Sequence, residues 1–167
     1  MRAATEPKLA LADFDQALQL NASYLPALES KAHVLSEQWD DLDGALRVLD
    51  EAIRWHPHQS PTLAASGVLR ARRGDSELAK MRAEQALAND ASPPILYQVA
   101  GIFALLSTAD DDNRERAFSL LTSALRAGFG ADLVEHDHDL DPLRTDARFA
   151  RLLTAIETLR APSVPSK

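Results

Sequence analysis

The sequence predicts an all-α protein built from repeated helices, and three observations support this prediction. Ala and Leu contribute 29 and 26 of the 167 residues, whereas Val and Ile together contribute 10. Residues that favour helices therefore far outnumber the β-branched residues that favour strands. A pattern of small residues returns at intervals of 34 to 38 residues. Hydrophobic residues make up 46% and charged residues 26% of the chain, which is typical of a folded globular protein.

The repeated pattern is a helical segment whose small residues lie three and four positions apart. Its four copies are Ala10-x3-Phe14-x2-Ala17, Ala45-x3-Leu49-x2-Ala52, Ala79-x3-Ala83-x2-Ala86 and Ala117-x3-Leu121-x2-Ala124. Residues at this spacing share one face of a helix. Each copy therefore predicts a helix whose backbone lies close to that of a neighbour.

Another helical stretch precedes each of the last three copies, and the clearest of these surrounds Gly67. Gly74 follows it, where a residue free to adopt positive φ is expected to end the helix. Asp75 or Ser76 is then expected to cap the next helix. The sequence therefore predicts pairs of helices joined by short turns.

These helix pairs resemble the tetratricopeptide repeat, a helix–turn–helix unit of about 34 residues. The resemblance covers residues 8–127 and is best in residues 60–91, through Leu63, Gly67, Gly74, Ala79 and Ala86. It implies a right-handed α-solenoid of about three and a half helix hairpins. The array is expected to occupy residues 1–127, with an incomplete first repeat.

The pattern changes after residue 127. Gly128 and Phe129 predict a C-cap glycine followed by its hydrophobic contact. Three short helical starts are then expected, at Asp132, at Asp141-Pro142 and at Thr145-Asp146. The last leads into an amphipathic helix with one apolar face, formed by Phe149, Leu152, Leu153, Ile156 and Leu159. Residues 128–160 are therefore predicted to form a C-terminal helical cap, and residues 161–167 a disordered tail.

This stretch resembles the end-of-group segment that closes tetratricopeptide arrays in some bacterial proteins, many of which carry serine/threonine kinase domains. The resemblance is carried by Ala124-Leu125-x-x-Gly128-Phe129, Asp139-Leu140-x-Pro142-Leu143-Arg144 and Arg148-Phe149. It implies a bacterial source, which the 14 arginines against 4 lysines also favour.

Charge and hydrophobicity exclude several classes of partner. A net charge of −7 opposes nucleic-acid binding, which needs a basic face. The longest nearly apolar run, residues 95–106, has 12 residues, fewer than the roughly 18 of a membrane span. The start of the chain lacks the apolar segment of a signal peptide. We therefore expect a cytoplasmic protein that binds neither nucleic acid nor membranes.

Two acidic stretches invite a metal interpretation. His136 and His138 lie among Asp137, Asp139 and Asp141, and could supply ligands for a metal-dependent hydrolase, yet no third ligand follows at a helical spacing. The alternative is that the aspartates cap short helices while the histidines are solvated. We favour capping, and expect no metal and no cofactor.

The second stretch, residues 110–113, lacks the glycine and the glutamate of a calcium loop. Asp112 or Asn113 is instead expected to cap the helix that follows. Because no nucleophile elbow or phosphate-binding loop appears either, we expect no enzymatic activity. Arg70, Arg72 and Arg73 form the only basic cluster in the sequence, which is either a solvated edge or a docking spot for an acidic partner.

The tetratricopeptide resemblance implies a concave groove lined by the first helix of each repeat. Helical spacing assigns nine residues to this partner-binding face: Glu29, His33, Ser36, Ala64, Val68, Ala71, Gln98, Ile102 and Leu105. None is Lys, Arg or Asn, so the carboxylate clamp of one subgroup of the family is not expected. The apolar end either binds a hydrophobic peptide or is covered by the capping helix.

Two functions from different classes follow from the resemblance. The first is a non-catalytic scaffold that binds a peptide or partner domain in its groove. The second is a C-terminal regulatory or docking region of a larger bacterial signalling protein, such as a serine/threonine kinase.

The N-terminal copy of the repeat leads to a prediction about self-association. Ala10, Phe14 and Ala17 belong to a second helix, whose partner helix would need about a dozen residues before Lys8. We expect this face to be incompletely covered, so that the chain self-associates or frays over residues 1–20. Sedimentation and amide exchange test this. A strict monomer whose amides over residues 8–20 are as protected as those of residues 79–88 would contradict it.

Overall fold

The computed structural model describes residues 5–108 and 110–160. Over these residues it contains α-helices, one short 3₁₀ helix and no strand, which confirms the predicted all-α class. The chain divides into two compact units, Met1–Asp90 and Ala91–Lys167. This division differs from the one predicted from the sequence, which places the boundary between the array and the cap at residues 127 and 128. The predicted tail lies outside the described residues.

The first unit is a succession of helix hairpins. Each helix contacts the next one along the chain, and their order is α1 (Thr5–Leu20), α2 (Leu25–Gln38), α3 (Leu42–Trp55), α4 (Ser60–Arg73) and α5 (Ser76–Asn89). This succession is consistent with an α-solenoid.

The second unit contains one long hairpin and the segment that follows it. Its helices are α6 (Pro93–Leu106), α7 (Asp111–Arg126), a 3₁₀ helix (His138–Leu143) and α8 (Ala147–Arg160). Helix α6 contacts both α7 and the 3₁₀ helix. None of the described helices combines the length and the hydrophobicity needed to cross a membrane.

The repeated small residues of the last three copies are fully buried in their hairpins. Ala52 of α3, Ala86 of α5 and Ala124 of α7 are each 0% exposed. In α1 the corresponding Ala17 is only half-buried, as is Phe14. The predicted contact face is therefore confirmed for the last three copies, and the first copy is less completely covered.

Two predicted glycine caps are confirmed. Gly74 ends α4 with φ of 90°, and Gly128 follows α7 with φ of 86°. After α7, the Gly128 amide donates to the Leu125 carbonyl and the Phe129 amide to the Ala124 carbonyl, both at 3.0 Å. This pairing satisfies carbonyls that the helix end leaves free.

The aspartate cap of α7 differs from the prediction. Asp110, which has an extended backbone, is the cap, and its side chain accepts from the amide of Asp112 at 3.0 Å. Asp112 and Asn113 lie inside the helix. Asn113 is buried, and its side-chain nitrogen donates to the carbonyl of Leu106. Asn113 therefore connects α7 to the end of α6.

The helical starts after residue 128 are partly corrected. Asp132 lies in a turn rather than a helix. Asp141 and Pro142 lie inside the 3₁₀ helix, because Asp137 caps that helix by accepting from the amide of Asp139. Asp146 directly precedes α8 and accepts from the amide of Arg148 at 2.9 Å, as the capping interpretation predicts.

Substitution of Ala86 tests the helix contact. Because its side chain has no exposed surface, we expect Ala86→Leu to overpack the hairpin and lower the free energy of unfolding by about 1–3 kcal/mol. Ala88→Leu, at an exposed position of the same helix, is the control and should be nearly neutral. Equal unfolding midpoints for both variants in urea would contradict the packing.

The Asp146 cap predicts a pH dependence. Hydrogen bonds from the side chain and backbone of Arg148 lower the pKa of Asp146 to about 2. Because the folded-state pKa lies below the unfolded value, the stabilisation is complete above about pH 4 and is lost as pH falls toward 2. We expect Asp146→Asn to lower the melting temperature more at pH 6 than at pH 2. An equal decrease at both pH values would contradict this cap.

Candidate functional site

The predicted groove residues of the first unit lie on α2 and α4, which are joined side by side at two points. The Thr62 hydroxyl donates to Oε1 of Glu29 at 2.5 Å. Near the other end of the two helices, Nη1 of Arg72 lies 2.7 Å from Oε1 of Glu37. The two helices therefore present their side chains on one shared surface.

The predicted residues differ in how much surface they offer. His33 is exposed, while Glu29, Ser36 and Val68 are half-buried. Ala64 and Ala71 are buried, at 0% and 8% exposure. An alanine side chain extends only one carbon from the backbone, so the packed neighbours cover it. These two positions therefore offer no appreciable side-chain surface to a partner, which corrects their predicted role as groove-lining residues.

The second unit holds the three remaining predicted residues. Gln98 is exposed and Leu105 is half-buried, whereas Ile102 has no exposed surface. Ile102 is a core residue rather than a groove-lining one, which is a second correction.

The segment after α7 packs closely against α6. The Tyr97 ring meets Phe129 edge-on, with the ring centroids 5.7 Å apart. A Cβ atom built on Gly130 would lie 2.3 Å from the Tyr97 ring, and one built on Gly101 would lie 3.4 Å from Asp139. The Tyr97 ring can therefore approach the backbone at position 130 this closely only because Gly130 has no side chain. Residues 129–139 thus cover part of α6, whereas the covering of Ile102 and Leu105 by the helix around Phe149–Leu159 stays a prediction.

Glu37 was not among the predicted groove residues, and Arg72 was predicted only as part of the basic cluster. The hydrogen bond from Arg72 lowers the pKa of Glu37, so this carboxylate stays charged. A signal for both residues was present. Each lies four positions beyond a predicted groove residue, His33 or Val68, and the two are 35 residues apart, one repeat interval. Their opposite charges at equivalent positions indicate pairing between neighbouring first helices.

The predicted basic cluster is engaged within the first unit. Arg70 is 7% exposed and binds both carboxylate oxygens of Asp50, at 2.7 and 2.8 Å. Arg73 pairs with Asp43 at 2.7 Å and also with Asp75, and these bonds raise its pKa. Together with the Arg72 pair, these contacts neutralise the cluster internally. The cluster therefore functions as structural pairing rather than as an unpaired basic patch.

The histidines of the first acidic stretch, His136 and His138, do not belong to a ligand cluster among the described residues. His136 is exposed, and Nδ1 of His138 is 3.2 Å from Oδ2 of Asp141. Hydrogen bonds from Arg144 and then from His138 lower the pKa of Asp141. Within residues 5–108 and 110–160, no group of three or more His, Asp or Glu side chains is arranged to hold a metal ion.

Comparisons with known proteins add no assignment. No family model matches the chain, and no curated protein matches it. The tetratricopeptide resemblance therefore depends on the repeat spacing and on the residues named for it, and the family stays a prediction.

Proposed function

We propose that this chain is a non-catalytic interaction scaffold of the tetratricopeptide type, which binds a peptide or partner protein on the surface shared by α2 and α4. We name this the first-helix surface. The observation that carries the proposal is the side-by-side joining of the two helices by the Glu29–Thr62 and Glu37–Arg72 contacts. The residues that it offers are Glu29, His33, Ser36, Glu37, Val68 and Arg72.

The chemistry of the first-helix surface supports recognition of a peptide. The surface combines charged and hydrogen-bonding groups with one half-buried aliphatic side chain, Val68, a mixture that specific interfaces also show. The hydrogen bonds already fix Glu29, Glu37 and Arg72. A partner that bonds to fixed groups loses less side-chain entropy when it binds. The surface is therefore suited to a partner with polar and small apolar groups.

A second candidate function is a regulatory or docking region of a larger bacterial signalling protein, in the cytoplasm. The observation that favours it is the ordered segment after α7, where the end-of-group residues form the Gly128 cap and the 3₁₀ helix His138–Leu143. The reading frame upstream of Met1 distinguishes the two candidates. A kinase catalytic domain joined to this chain would favour the second function.

Single substitutions on the first-helix surface test the first candidate. We expect Val68→Glu to reduce recovery of a specific partner at least about tenfold in affinity capture from the native host, quantified by mass spectrometry, because it places a charge in the interface. Gln98→Lys, on α6 of the second unit and outside the first-helix surface, tests separately the predicted groove position there. Helicity and melting temperature should stay near wild type, since neither side chain is fully buried.

The matched control is Ala88→Glu, at an exposed position of α5. It should leave capture unchanged. Normal capture by Val68→Glu, with wild-type helicity, would contradict the proposal, and normal capture by Gln98→Lys as well would contradict the wider groove prediction.

A further inference from the structure

Another surface lies on the side of α3 and α5, which are the second helices of the hairpins in the first unit. An open cleft of about 720 Å³ lies against α3, α4 and α5. Its charged lining residues are Arg47, Asp50, Glu51, Arg54, Arg70 and Arg82. Four guanidinium groups thus face two carboxylates, and the cleft is cationic in a chain whose net charge is −7.

One carboxylate serves two of these arginines. Asp50 binds Arg70 through both oxygens, and its Oδ1 lies 3.6 Å from Nη2 of Arg82. Nε of Arg82 is buried without a hydrogen-bond partner, and burial lowers the pKa of Arg82. Arg70 also pairs with Asp75, whose Oδ2 lies 3.8 Å from Nη1 of Arg70, so the positive charge in the inner part of the cleft that is least compensated belongs to Arg82.

The outer part of the cleft carries two unpaired arginines. Arg47 and Arg54 are exposed, and neither forms an ion pair with another described residue. They are seven positions apart on one face of α3, which separates their backbones by about 10 Å. Asp50 and Glu51 lie between them on the same face.

We propose that this cleft, which we name the arginine cleft, binds an acidic peptide segment that places one carboxylate on Arg47 and another on Arg54. In a peptide with the polyproline II conformation, which has three residues per turn, carboxylates three residues apart lie on the same side and are about 9 Å apart, close to the separation of the two arginines. A single phosphate is too small to reach both. The acidic residues between the arginines also repel a compact dianion more than two separated monoanions.

The apolar lining of the cleft supports a peptide ligand. Ile53 and Pro57 contribute apolar surface between the charged groups. The methylene groups of glutamate side chains can pack there while their carboxylates bond to the guanidinium groups. The arginine cleft uses residues outside the first-helix surface, so this inference is independent of the proposed function.

Fluorescence anisotropy with the full chain tests the arginine cleft. The probe is a fluorescein-labelled Gly/Ser peptide with a glutamate at every third position, at low salt, and a matched peptide carries glutamine instead. We expect saturable binding of the glutamate peptide only. Because the chain is acidic overall, general attraction cannot produce this difference. The variant Arg47→Glu/Arg54→Glu should weaken binding at least about tenfold.

The matched control is Arg126→Glu/Arg151→Glu, which makes the same charge change at exposed positions of α7 and α8. It should alter affinity less than about twofold. If Arg47→Glu/Arg54→Glu has a lower melting temperature, Arg47→Gln/Arg54→Gln replaces it. Val68→Glu should bind the probe normally, which separates this test from that of the first-helix surface.

Three results would overturn the proposal. The first is no saturable binding of the glutamate peptide. The second is an equal loss of affinity in the control variant or no loss in either. The third is displacement of the probe by inorganic phosphate more effectively than by the unlabelled peptide, which would indicate a site for a single compact anion.

Discussion

Close approach of helix backbones at buried alanines is the constraint on which the hairpins of both units depend. Ala52, Ala86 and Ala124 each have no exposed surface, although an alanine contributes little apolar area of its own. They stabilise the hairpins because their small side chains let the helices approach each other closely. Leucines and isoleucines on adjacent turns can then make more contacts with the facing helix. In the first unit this packing fixes which face of each helix remains available to solvent.

The charged residues of the first unit divide between two faces. On the first helices, Glu37 and Arg72 pair with each other at the surface. On the second-helix side, Arg70 is buried and bonds to Asp50, whose side chain is 44% exposed. Loss of Asp50 is costly because the guanidinium of Arg70 stays out of water. The first-helix surface therefore carries Glu29 and Glu37 against one arginine, Arg72, whereas the arginine cleft carries an excess of arginine. The net charge of the chain conceals this difference.

Local sequence signals made much of the fold predictable, whereas ion pairs between residues far apart in the sequence could not be predicted. Gly74 and Gly128 end helices where the sequence predicts, since a C-cap depends on a few neighbouring residues. The cap of α7 was misplaced by two or three positions because aspartates in succession offer equivalent local bonds. Pairing of Arg70 with Asp50, 20 positions away, depends on how α3 and α4 pack. Burial of Ala64 and Ile102 likewise depends on the neighbouring elements that pack on them. Helical periodicity does not contain this information, and it therefore assigned both residues to a surface.

The sharing of Asp50 has a consequence for how this sequence can diverge. Because Arg70 and Arg82 both pair with that carboxylate, its neutralisation weakens the pairing of two guanidinium groups at once: Arg82 loses its ion pair, and Arg70 keeps only the longer one with Asp75. Substitutions at the three positions should therefore be strongly non-additive. Among the three positions, a substitution at Arg82 should cost the least stability if it comes first, since Arg70 then keeps its two bonds to Asp50. Among descendants of this chain, Asp50 and Arg70 should be inherited together, while the residue at position 82 varies more freely.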